Sequence, residues 1–204
     1  MYVSETSAIA HVIFPDDAVS KYGASFREAY INVSLSSESS GSSNEINLEV
    51  VAMEKMPTMI GESTMLTFTP AGTLKGFTID KLGYDVNPED VIAGGNQMNH
   101  VAWNGGTTAT TTGGDTIQIV SLDASNFCPA TKSFPYGNPL PAGSNGLMPL
   151  QSGSVLGMGV NIHNNLWNTN YPLYYPYFDP KYCTTPFDCV NANAKFRFVI
   201  RVSN

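Results

Sequence analysis

The segment AKFRFVIRVSN (194–204) constrains the fold more than any other in the chain. Phe196, Phe198, Ile200 and Val202 share one parity, and Lys195, Arg197 and Arg201 share the other, with Val199 alone breaking the rule. A period of two means a strand with one face in a core and one in solvent. The end of this sequence is therefore expected inside a sheet, and the three cations are expected on that strand's solvated face.

The same reading finds strands from end to end. SAIAHVIF (7–14), AYINVSLS (29–36), EINLEVVAM (45–53), TMLTFT (64–69), LKGFTIDKL (74–82), a shorter HVAW (100–103), DTIQIVSL (115–122) and SVLGMGVNIH (154–163) precede the terminal one. In EINLEVVAM, Ile46, Leu48, Val50 and Ala52 form the apolar parity. In SVLGMGVNIH, Leu156, Met158, Val160 and Ile162 face Gly157 and Gly159. The Ser-rich stretch 36–45 reads as a hairpin connection, and GGTTATTTGGD (105–115) reads as a second outer loop, since neither offers apolar surface to bury. Two short helices are predicted. Asp16 caps DAVSKY, which Gly23 ends, and Asn87-Pro88-Glu89-Asp90 starts a second that Gly94-Gly95 stops.

Residues 129–186 differ from the rest. They hold nine of the thirteen prolines, and only 154–163 reads as strand within them. Prolines at this density are not expected in central strands, so the region is predicted to be long, ordered loop. At 204 residues one domain, 1–204, accommodates all of this. The fold class is all-β: a two-sheet antiparallel sandwich of about eight strands, read as a single jelly roll. An immunoglobulin-like sandwich is the alternative, weakened by long loops and the lack of a Cys…Trp…Cys spacing.

Charge narrows the partners. Only 13% of residues are charged and the net charge is −7, with ten scattered Lys and Arg. Phosphate-backbone binding needs clustered cations, so direct nucleic-acid binding is not expected. No run of about 18 apolar residues can span a bilayer as a helix, and the N-terminal stretch has no signal-peptide pattern.

Catalytic vocabulary is missing. No GxSxG, HExxH, GxxxxGK[ST] or strand-following GxGxxG occurs. His11, His100 and His163 lie far apart without HxH spacing, so each reads as a single structural histidine and not as a cupin-type metal ligand. No carboxylate pair is marked for glycosidase chemistry. The chain is read as a non-enzyme, without metal or cofactor. Cys183 and Cys189 bracket TTPFD, a spacer that suits either a small disulfide or two free thiols, and Cys128 makes the count odd.

The one recognition signal is LWNTNYPLYYPYFDPKY (166–182), which carries seven of the chain's twenty-two aromatics. Trp167, Tyr171, Tyr174, Tyr175, Tyr177, Phe178 and Tyr182 sit on a proline-stiffened segment. Such rings bury large area at small entropic cost, or stack on sugar faces beside Asn164, Asn165, Asn168 and Asn170. The plain structural alternative is a loop folded over one end of the sandwich. The expected role is a structural assembly protein, a viral capsid, penton or surface-decoration subunit, whose partners are copies of itself and other structural proteins of a virion. The alternative is a carbohydrate-binding or adhesion module of a phage fibre or cell surface, contacting host glycans. A cupin- or glycosidase-like enzyme is the weakest of the three.

Overall fold

A computed structural model describes residues 1–21, 23, 25–36, 44–56, 62–87, 100–101, 106–131, 155–165 and 192–203. Most of these are strand. In chain order the strands are β1 (Tyr2–Val3), β2 (Ser7–Ile13), β3 (Glu28–Leu35), β4 (Asn44–Lys55), β5 (Glu62–Phe68), β6 (Leu74–Lys81), β7 (Tyr84–Val86), β8 (His100–Val101), β9 (Thr107–Thr111), β10 (Thr116–Ser121), β11 (Asn126–Thr131), β12 (Val155–Asn165) and β13 (Ala192–Ser203). A nine-stranded sheet has the order β1-β2-β3-β4-β13-β10-β9-β6-β7, and a smaller sheet has the order β5-β12-β11-β8. The chain is thus all-β with antiparallel, sandwich-like sheets.

By residue range the chain divides into two compact units. One comprises Met1–Ser34, Leu48–Thr64 and His163–Arg197; the other comprises Leu35–Asn47, Met65–Ile162 and Phe198–Asn204. In the first unit, β2 and β3 pair antiparallel from Ser7↔Ser34 to Ile13↔Glu28, and β1 pairs only with Ala8 and Ile9 of β2. Phe26, Ala29, Leu48, Val50 and Ala52 are buried there. Among the described residues the one helical turn, a π-helix over Asp17–Lys21, buries Val19 and ends where the Gly23 N–H donates to the Val19 carbonyl at 3.0 Å. Gly23 has φ +62, the left-handed conformation that favours glycine after a helix, as the sequence predicts. The second predicted helix begins at Asn87, and its body (88–99) lies outside the described residues.

Alternation on β4 holds through Leu48, Val50 and Ala52, then slips. Glu54 has φ 57, and its N–H donates to Asn193 Oδ1 at 2.9 Å. This left-handed residue shifts the parity by one and turns Lys55 inward, to 5% exposure. The Lys55 Nζ donates to the Gly23 carbonyl at 2.9 Å and to the Met56 carbonyl at 2.5 Å, so the buried ammonium is hydrogen-bonded.

In the second unit, β10 pairs with β13 from Thr116↔Ser203 to Ser121↔Phe198 and with β9 on its other side. Phe198 is buried to 1% exposure and meets Phe68 of β5 edge-on, with centroids 5.4 Å apart. That contact joins the two sheets, and it uses the parity read from the sequence. Gly157 of β12 lies so close to β5 that an added Cβ would run into the Phe68 carbonyl oxygen. β6 and β7 form a hairpin through Leu82 (φ 60) and Gly83 (φ 87). Two positive φ values in a two-residue loop are the conditions of a type I′ turn.

Two expectations are corrected. Residues 105–115 are not wholly an outer loop: Thr107–Thr111 form β9, with Thr107 and Ala109 buried to 1% exposure. β-Branched threonine suits a pleated surface, and the Thr107 hydroxyl is satisfied by donating to the Thr78 carbonyl at 2.9 Å. Only the Thr112–Asp115 end is turn, closed by the Thr111 N–H donating to the Asp115 carbonyl. The second correction concerns Pro129, which lies within β11 opposite Met158. Among the described residues β8 pairs with Asn126 and Phe127 of β11.

Candidate functional site

The described surface with the most distinctive chemistry is the outward face of β1–β3. Directly paired residues share a face, so Tyr2, Ile9 and Asn32 lie together, followed by His11 with Tyr30 and Ile13 with Glu28. The opposite face carries Val3, Ala8, Ala10, Val12, Ala29, Ile31 and Val33. On the outward face Tyr2 is 65% exposed, Ile13 71%, Ile9 38% and Tyr30 37%. Large apolar groups therefore face outward, while half of the opposite face of β2 and β3 is alanine.

His11 and Tyr30 stack with centroids 4.5 Å apart and planes 2° from parallel. His11 Nε2 lies 2.7 Å from Glu28 Oε2, a residue diagonal to it across the pair. The contact fixes the imidazole plane against the phenol ring. Its chemistry is that of a ring-bearing surface with a single carboxylate.

The other histidines are elsewhere. His163, on β12, meets Phe26 edge-on at 5.7 Å, and His100 lies on β8. Among the described residues no group of three His, Cys, Asp or Glu side chains is gathered to hold a metal. No helix among them is long and apolar enough to cross a membrane. The cations of β13 meet carboxylates of β4: Lys195 Nζ is 2.5 Å from Glu49 Oε2, and Arg201 Nε is 3.1 Å from Glu45 Oε2. Arg201 also donates to Gln118 Oε1 at 3.2 Å. These cations form a laddered solvent face.

The aromatic segment with Trp167, Tyr171, Tyr174, Tyr175, Tyr177, Phe178 and Tyr182 lies outside the described residues, as do Cys183 and Cys189. Asn164 and Asn165 belong to β12. Sequence reading did not single out the β1–β3 face, although SAIAHVIF carries the signal: it is apolar on both parities, so covering one face leaves apolar groups on the other. No protein-family model, curated protein or solved structure matches the chain.

Proposed function

We propose that this chain is a structural assembly subunit built on a jelly roll, of the kind that forms a viral capsid, penton or surface decoration. The observation that supports it is the nested strand order. β4 neighbours the last strand, β13, in one sheet, while β5 neighbours the next-to-last, β12, in the other. β10 then lies beside β13, and β11 beside β12. A long hairpin rolled across two sheets has this order, with early strands pairing with late ones and successive strands changing sheet. An immunoglobulin-like sandwich builds on a different order. β6, β7, β8 and β9 are then an insertion between the second and third strands of the roll.

The step from fold to role is one of analogy, strengthened by a surface of few charges. On this reading an acidic chain without a basic arm takes a place away from the genome, in the shell or on the virion surface, among copies of itself and other structural proteins. Light scattering coupled to size-exclusion chromatography, followed by electron microscopy of the purified chain, tests it. Discrete symmetric oligomers or closed particles are the expected result. A monomer at every concentration reached would overturn it, and glycan-array binding by that monomer would move the assignment to an adhesion module.

A further inference from the structure

We infer that the outward face of β1–β3 is a self-association surface, closed by the same face of a second copy of this chain. The inference rests on the assembly reading and names the contact. Tyr2, Ile9, Ile13 and Tyr30 form the face, while Val3 and Val12 pair with Ala8 and Ala29 on the opposite one. With about 200 Å² for a fully exposed tyrosine and about 100 Å² for an aliphatic side chain, these four offer roughly 300 Å² of apolar surface. A standard interface covers about 800 Å² on each partner, a little over half of it apolar. The patch therefore supplies about two thirds of the apolar share of one side, and Ser7, Asn32, Ser34 and the His11–Glu28 pair supply a polar remainder.

Charge selects the occupant. The strands β1, β2 and β3 contain one carboxylate, Glu28, and no Lys or Arg. Glu28 is bonded to His11. An acidic partner finds no Lys or Arg to pair with here. A chain of net charge −7 repels its own copies over most of its surface, and a charge-poor apolar face is where that repulsion is least. A charge-poor, apolar surface of matching size is present on every copy, and a two-fold axis brings it onto itself.

The test is sedimentation velocity of the full chain over a wide concentration range, with Ile13→Asp, Tyr2→Ser and, as a control on another surface, Leu122→Asp. Leu122 is 55% exposed. Far-ultraviolet circular dichroism and the melting midpoint confirm that each variant is folded. The expected result is an assembling parent, an association constant lowered at least about tenfold by Ile13→Asp and measurably by Tyr2→Ser, and no change for Leu122→Asp. If the parent assembles and Ile13→Asp assembles equally well, the surface is overturned while the assembly reading stands. Equal loss in Ile13→Asp and Leu122→Asp also overturns the surface, as an effect of added charge alone. A monomeric parent overturns both, and binding of an apolar peptide to this face by that monomer would identify a different occupant.

Discussion

Replacing Phe198 by alanine tests whether the joint between the sheets carries the fold. The side chain is 1% exposed, so its whole apolar surface returns to water on unfolding. Full burial of a phenylalanine stabilises by roughly 1.5–3 kcal/mol in transfer alone. The void adds to this, because β13 lies between β4 and β10 and its backbone cannot sink to fill the space. Phe68 also loses its edge-on partner at 5.4 Å. The total is about 3–5 kcal/mol, the range of buried Phe→Ala changes. Urea unfolding followed by tyrosine and tryptophan fluorescence measures it, and a melting midpoint lowered by roughly 6–20 °C is expected for a chain of this length. Phe68→Leu, Phe198→Leu and the double variant then isolate the ring contact, which should couple the two sites by about 0.5–1.5 kcal/mol. A loss below about 1 kcal/mol for Phe198→Ala, in the range of many surface changes, would refute the argument. Strict additivity of the two leucine variants would refute the ring contact alone.

Gly157→Ala should destabilise by about 1–3 kcal/mol or more, because the added methyl meets the Phe68 carbonyl of a neighbouring strand, which is backbone and cannot swing aside; an unchanged urea midpoint would contradict that approach. Leu82→Asn should stabilise by about 1 kcal/mol, since Leu82 is 74% exposed at φ 60, where asparagine is far better tolerated. A lowered melting midpoint would mean that Leu82 makes a contact worth more than its backbone strain. Lys55→Met should cost about 1–3 kcal/mol by leaving the Gly23 and Met56 carbonyls without their donor; a stabilised variant in the same urea assay would show that the ammonium costs more to bury than its bonds return.

Most strands of six residues or more were legible in the sequence. β2, β3, β4, β5, β6, β10, β12 and β13 all fall where the sequence reading places them, within about two residues at each end. The strands that escaped share physical reasons. β1 and β7 have two and three residues, too few to display a period. β9 is built from four threonines around Ala109, so its two faces do not differ in polarity although one is buried. β11 contains Pro129, and proline argues against a strand when only the sequence is read. Inward rotation of Lys55 follows from one left-handed residue, and at Glu54 no glycine announces it. The β1–β3 face lay in plain view within SAIAHVIF, but two-sided apolarity reads equally as a strand buried on both faces, and only exposure separates these cases.

The size order across β2 and β3 bears on how such a sheet is stabilised. Three of the six inward positions, Ala8, Ala10 and Ala29 beside Val12, Ile31 and Val33, hold alanine where a lone chain gains most from bulk, while Ile9, Ile13 and Tyr30 point outward, where it gains least. Each outward group adds little to the folding of a single molecule, and each would add its full transfer free energy on meeting a matching surface. A chain with this distribution divides its stabilisation between folding and association. Exchanging Ile9 and Ile13 for threonine keeps the β-branched backbone preference and should leave the melting midpoint of the dilute protein nearly unchanged. The same exchange should remove the rise in that midpoint with concentration that mass action gives any self-associating chain. A concentration-dependent midpoint that survives both substitutions would assign the second share of the stabilisation to another surface.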